Sequence, residues 1–280
     1  MRLFYTNSTK HLAKRIKIPK GKFILDRFSD GEIYVRINED VKDRRVTVLA
    51  STPDSESILE LMFLLDALQR AKAKIHLLMP YFGYARQDRL IQEGECFSSR
   101  RICTWLNQYD LKSVDILHMH SERIKRYLDY RQLIPLELFA PIIERNDIIV
   151  APDKGALDFV KKAGKRYRKD IGCFEKMRPV KEKAKIIRID ADVKGRKVII
   201  FDDMITTGGT ILAVSRELKK RGAKEINVLA THGIFTGDSI KRLERSAIKN
   251  IYVTNSLPQT SRNIKLINIA QYLEKRMRSI

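Results

Sequence analysis

Cysteine is scarce in this chain, with only Cys96, Cys103 and Cys173 among 280 residues. None belongs to a CxxC pair and the number is odd, so neither a disulfide framework nor a zinc site is indicated, and free thiols are expected. No apolar run approaches the roughly 18 residues that a membrane span needs. Met1 to Tyr5 leads into no signal peptide, which makes the cytoplasm the expected location. Acidic residues are also few, 34 against 55 Lys and Arg, leaving a net charge of +21. Such an excess points to anionic partners. It is concentrated between Lys161 and Lys197, where 15 Lys and Arg face 5 Asp and Glu. A window this basic suits nucleic acid, a polyphosphate substrate or an ordinary solvated face, and composition does not choose among them. Two motifs are missing: there is no GxxxxGK[ST] P-loop, and no room for a helix-turn-helix module.

What remains is a globular composition, 44% apolar and 8% aromatic, long enough for one large α/β domain or two of ordinary size. Two segments about 150 residues apart share a layout. Val46 to Thr52 reads as a buried strand, followed by Ile58, Leu61, Met62, Leu65 and Leu68 at helical spacing, then by AKAKIHLLMPYF, a second strand turning at Pro80. Val198 to Phe201, the stripe Ile211, Val214 and Leu218, and GAKEINVLATHG repeat the sequence of events. The pattern is a βαβ duplication that predicts two similar α/β domains. Further strands are expected at Ser113–Met119, Ile148–Ala151, Ile186–Ile189 and Ile251–Thr254, and helices at Arg100–Asn107, Leu157–Lys162, Ser239–Ser246 and Ile269–Met277. Alternating units imply mostly parallel sheets with ligands at the carboxyl ends of the strands. A seam is expected near Pro135 to Arg145, dividing residues 1–138 from 139–280, the last helix being a candidate to pack back on the first domain.

The most informative stretch is VIIFDDMITTGGTI, Val198 to Ile211. It reads as a strand, a Gly-rich turn and a helix start. Thr206, Thr207, Gly208, Gly209 and Thr210 can present backbone N–H groups and hydroxyls to one phosphate at the helix N-terminus. Asp202 and Asp203 would repel a phosphate placed against them. They suit a ligand whose phosphate lies at one end and whose hydroxyls lie ångströms away, because carboxylates accept from a diol and hold Mg²⁺ through water. A ribose 5-phosphate moiety has that shape.

FDDMITTGGT resembles the phosphoribosyl-diphosphate-binding loop of type I phosphoribosyltransferases and of ribose-phosphate diphosphokinases. The first half of the chain favours the second family: FSDGE at Phe28 to Glu32 and YFGYARQDR at Tyr81 to Arg89 are similar to its ATP-site segments. Arg86 can neutralise polyphosphate bidentately and Gln87 can read a base or phosphate edge. Phe28 offers a face for adenine, and Asp30 and Glu32 can accept from its amine or from ribose hydroxyls. The resemblance implies that this segment reaches an ATP in a neighbouring subunit, hence a dimer or higher homo-oligomer. HMHSE resembles the family's Asp-Leu-His segment and maps a Mg²⁺ ligand onto His120. APDKGA resembles Pro-Asp-x-Gly and makes Asp153 a candidate for the second metal position or for holding a metal-bound water. EKMRP resembles Lys-Arg-Arg and places Lys176 and Arg178 in catalysis, while Lys161 to Lys169 is expected to be a solvated helix face.

The resemblance runs from about Leu3 to Met277. It implies two similar α/β domains of the type I phosphoribosyltransferase kind, each a mostly parallel sheet flanked by helices. It also implies transfer of the diphosphoryl group of Mg-ATP to O1 of ribose 5-phosphate, without membrane or nucleic-acid partners. Four departures stand out: Thr206 and His118 occupy positions where the family often has Asp, Met177 replaces a basic residue, and Leu90 to Ser99 is unlike the family's segment.

Overall fold

The computed structural model describes residues 1–177, 186–259 and 261–280. They form two compact units, one of residues 1–134, 256–258 and 269–280, the other of 135–255 and 259–268.

In the first unit the elements are β1 (Arg2–Tyr5), α1 (Lys10–Ala13), β2 (Phe23–Arg27), β3 (Ile33–Ile37), β4 (Arg45–Leu49), α2 (Ser55–Arg70), β5 (Lys74–Met79), α3 (Ser98–Leu106), β6 (Leu111–Leu117) and β7 (Arg131–Leu133). β1-β4-β5-β6-β7 make a parallel sheet. Both faces of its strands are apolar, as parallel sheets require: Val46 and Val48 point one way, Leu49 the other, and all are fully buried. β2 and β3 form a separate antiparallel hairpin. Their half-buried alternation was not expected from the sequence, because Asp30–Gly31 alone signals only a turn. On α2 the buried stripe is Ile58, Leu61, Leu64, Leu65 and Leu68, so Leu64 takes the central place and Met62 lies at its margin.

In the second unit follow α4 (Leu136–Ile143), β8 (Ile148–Ala151), α5 (Leu157–Tyr167), β9 (Asp170–Met177), β10 (Ile186–Ile189), β11 (Lys197–Ile205), α6 (Gly209–Lys220), β12 (Glu225–Gly233), α7 (Ser239–Glu244), β13 (Asn250–Thr254) and β14 (Ile264–Ile267). The strand order is β10-β9-β8-β11-β12-β13-β14, parallel except for the β9–β10 pair. The stretch from Pro135 to Arg145, where a seam was expected, contains the helix α4 with Pro141 inside it. It survives because Leu136, Phe139 and Ile143 bury one face, and Phe139 meets Phe201 edge-on at 5.5 Å. α5 runs to Tyr167, longer than the sequence indicates, and keeps Lys161, Lys162, Lys165 and Arg166 outward. α8 (Ala270–Arg278) belongs to the first unit.

The duplication extends to the turns. After α2, Lys72 is left-handed, Ala73 N donates to Leu68 O, and Lys72 O accepts from Asp43 N at 2.9 Å. After α6, Gly222 is left-handed, Ala223 N donates to Leu218 O, and Gly222 O accepts from Gly195 N at 2.8 Å. The helix ends differ at their starts. Asp54 caps α2 by accepting from Ser57 N at 2.8 Å, whereas Gly208 at the head of α6 provides no capping side chain.

Candidate active site

In the second unit the expected phosphate loop sits at the carboxyl end of β11. That strand continues past Phe201, through Asp202 and Asp203 to Ile205, because β12 pairs with it as far as Ile205↔Gly233. The chain then turns through Thr206 and Thr207 to Gly208, whose φ of +71° is open to glycine. A Cβ at Gly208 would also lie 3.2 Å from Leu243 of α7. The loop is braced from below: Thr206 O accepts from Thr236 N, and Ile205 O accepts from Ile234 N and Phe235 N. Thr207 and Gly209 are exposed, Thr206 and Thr210 half-buried. An uncapped helix start with exposed loop residues is a place for an anion.

Asp203 is buried and donates its N–H to Asp202 Oδ1 at 2.9 Å. The Asp202 carboxyl is pushed well above the usual carboxylate range, first by burial, then by the charge of Asp203 beside it, and further by Asp153. Asp153 begins the turn after β8 and accepts from Gly155 N at 2.9 Å. Among the described residues no three His, Cys, Asp or Glu side chains converge as a preformed metal site. The repulsion felt at Asp202 nonetheless fits a divalent cation held by one or two carboxylates together with substrate oxygens. The same repulsion makes Asp202 costly to the fold. Asp202→Asn is expected to raise stability by about 1 kcal/mol while lowering ribose 5-phosphate turnover about tenfold through loss of a charged acceptor. The folded-state pKa is the higher one, so the native protein loses stability as pH rises from the ordinary carboxylate range towards the raised value. The gain from Asn therefore grows with pH over that window, which thermal melts at a series of pH values will check.

Lys176 lies on β9 with its backbone opposite Ile187. Arg178 lies outside the described residues.

In the first unit the ATP-site candidates fall on three segments. The hairpin tip carries Phe28, 53% exposed, its ring tilted 52° to that of Tyr34 at a centroid distance of 5.1 Å. Asp30 and Glu32 are exposed there too, and Asp30 Oδ1 accepts from Glu32 N. The tip closes on itself through Phe28 N to Glu32 O and Gly31 N to Phe28 O, while Arg27 pairs with Glu56 of α2. The turn after β5 places Arg86 and Gln87 at the surface above buried Phe82 and Ala85. Ser98 Oγ donates to Gln87 Oε1, so the Gln87 amide N–H₂ remains to donate, which suits phosphate oxygens. This turn approaches the segment that follows β4 closely: a Cβ on Gly83 would come 1.9 Å from Thr52 O. Gly83→Ala is expected to destabilise the unit by about 1–3 kcal/mol, measured by urea unfolding, because backbone must move. After β6, His118 is buried with φ +40° and its N–H bonded to Leu133 O at 2.7 Å. That bend leaves His118 pointing inward and brings His120 to the exposed surface. A cleft of about 660 Å³ lined by Leu111, Lys112, Asp115 and Arg276 opens at the other end of β6 and contains none of the candidates.

Residues 1–109 match the model of the N-terminal domain of ribose phosphate pyrophosphokinase, and residues 145–280 match that of the phosphoribosyl synthetase-associated domain. The ribose-phosphate pyrophosphokinase of Buchnera aphidicola (from Acyrthosiphon pisum) is 37% identical over 95% of this chain and 89% of its own length. The chain belongs to the ribose-phosphate pyrophosphokinase family. The Pasteurella multocida ribose-phosphate pyrophosphokinase is 35% identical, covering 98% of this chain and 91% of its own. The solved phosphoribosylpyrophosphate synthetase of Mycobacterium smegmatis has a TM-score of 0.86 at 26% identity, covering 99% and 97% of the two chains. The pyrophosphokinase fold thus accounts for both α/β units. Sequence reasoning passed over Asp88 and Ser121, which the structure joins at 2.6 Å. Both stand inside the motifs already singled out, ARQD and HMHSE, and that was the available signal.

Proposed function

We propose that this chain makes 5-phosphoribosyl 1-diphosphate and AMP from ribose 5-phosphate and ATP. The observation that carries the reading is the β11–α6 turn: an uncapped helix start for a phosphate, with Asp202 and Asp203 beside it for sugar hydroxyls.

Thr206 to Thr210 hold the 5-phosphate and thereby aim O1 of the ribose. O1 attacks the β-phosphorus of ATP in line, the bond from β-phosphorus to the α,β-bridging oxygen breaks, and AMP leaves with that oxygen. Such transfer asks little covalent help of a protein and depends on positioning and charge neutralisation. Arg86 and the donating amide of Gln87 bind the triphosphate. Lys176 and Arg178 neutralise charge building on the transferred group and on the departing α-phosphate. Asp30 and Glu32 accept from the adenine amine or its ribose, and Phe28 stacks on the base. His120 in the first unit and Asp153 in the second are each a residue that would hold a Mg²⁺ ion, which when bound would neutralise phosphate oxygens. Phe28's exposure supports service to the nucleotide of a neighbouring copy, so sedimentation velocity is expected to give a dimer or larger.

³¹P NMR of the protein with ATP, ribose 5-phosphate and Mg²⁺ is the test. Equal growth of AMP and the phosphoribosyl diphosphate signals is expected. Appearance of ADP instead would mean γ-phosphoryl transfer and would overturn the reading.

A further inference from the structure

The first unit contains a polar bridge that the reaction as described does not use. Beyond their last paired residues, Met79 and Ile116, β5 and β6 lead into separate turns, one bearing Arg86 and Gln87, the other His120. Asp88 belongs to the first turn and Ser121 to the second. Ser121 Oγ donates to Asp88 Oδ2 at 2.6 Å, and accepts from Arg123 N at 3.3 Å, so its only proton is committed to the carboxylate. The Arg123 guanidinium lies 3.6 Å from the same Asp88 oxygen. The Asp88 side chain is 15% exposed, and at that burial a hydroxyl–carboxylate hydrogen bond is short and strong. Two further bonds fix the base of the same loop, since Gln87 O accepts from both Ser99 N and Ser99 Oγ.

Each partner is one residue away from a candidate ligand-binding group, Asp88 after Gln87 and Ser121 after His120. We infer that Asp88 is a positioning residue for Mg-ATP: through Ser121 it holds the His120 turn in fixed register with Arg86 and Gln87. The inference rests on the assignment of those three residues to the nucleotide and its metal. Groups that orient a ligating histidine from behind typically change metal affinity or activity about 10–100-fold when removed. The Arg123 contact is half-exposed and serves the carboxylate's placement more than its energy.

The experiment is a double-mutant cycle with Asp88→Ala and Ser121→Ala, read in two ways. The first is the dissociation constant of Mn²⁺ titrated calorimetrically into protein holding α,β-methylene ATP, which cannot transfer its diphosphoryl group. The second is the split of KM between ATP and ribose 5-phosphate. Each single variant is expected to weaken Mn²⁺ binding and raise KM for ATP by about tenfold, with KM for ribose 5-phosphate unchanged. The double variant should be no worse than the weaker single, because both remove one bond. Ser121→Thr, which keeps the hydroxyl, should restore wild-type values. Multiplying effects in the double variant, equal damage to both substrates, or failure of Ser121→Thr to rescue would overturn the inference. Arg86→Ala and His120→Ala test the underlying assignment separately: if they leave Mn²⁺ and ATP binding intact, that assignment fails whatever the cycle reads.

Discussion

Lys176→Ala is expected to lower turnover about 10²–10³-fold, the usual cost of removing one charge partner from a transition state, and to leave the melting temperature where it was. The two halves of that statement have different grounds. Lys176 lies near the end of β9, where the backbone pairs with β10. Those ladder bonds do not depend on the side chain, and alanine maintains them. The catalytic half depends on charge development: if the ammonium meets the transferring group only as negative charge accumulates, kcat falls while KM for either substrate stays close to wild type. A loss appearing wholly in KM would assign Lys176 to substrate binding. Near-normal turnover would remove it from the site.

Arg276→Ala is expected to cost the first unit about 3–5 kcal/mol, since it strands a buried carboxylate. Asp115 of β6 is fully buried, and Arg276 of α8 grips it with two parallel bonds, Nε to Oδ2 at 2.9 Å and the second nitrogen to Oδ1 at 3.1 Å. The remaining nitrogen donates to Ser279 Oγ. Asp115→Leu combined with Arg276→Met should recover most of the loss, because an apolar pair carries no desolvation penalty. Urea unfolding of the two variants decides it. A single variant with unchanged midpoint would mean that water reaches Asp115.

That ion pair also marks the boundary of what local sequence reading can reach. The Gly-Thr loop was legible because its backbone requirements, a left-handed residue and an open helix start, select residue types at adjacent positions. The strands Ile148–Ala151 and Val198 to Phe201 were legible as apolar runs, while the continuation of the second to Ile205 is fixed by its pairing with β12. The β2–β3 hairpin was not, since its strands are only half-buried and alternate weakly. Helix α4 was hidden by its own proline. Asp115 with Arg276, 161 positions apart, and Asp88 with Ser121, 33 apart, leave no periodic trace, because a pairwise contact constrains two residues and no pattern between them. The antiparallel β10 at the sheet edge is likewise a matter of topology.

The contrast between Asp54 and Gly208 divides the two halves of the duplication thermodynamically. In the first unit the chain supplies its own anion to the helix start, so that turn is satisfied at any ligand concentration. In the second, Gly208 offers no capping side chain and the chain's own contribution is a long 3.5 Å contact from Gly209 N to Thr207 Oγ1, so on the proposed function the negative charge arrives with ribose 5-phosphate. Ribose 5-phosphate at 100 times its dissociation constant should therefore add about 2.7 kcal/mol to the second unit's folded state and nothing at the first unit's own turn. Hydrogen exchange would register this as slowing across the second unit, β11 and α6 included, making phosphate supply a control on how long half of the molecule stays folded.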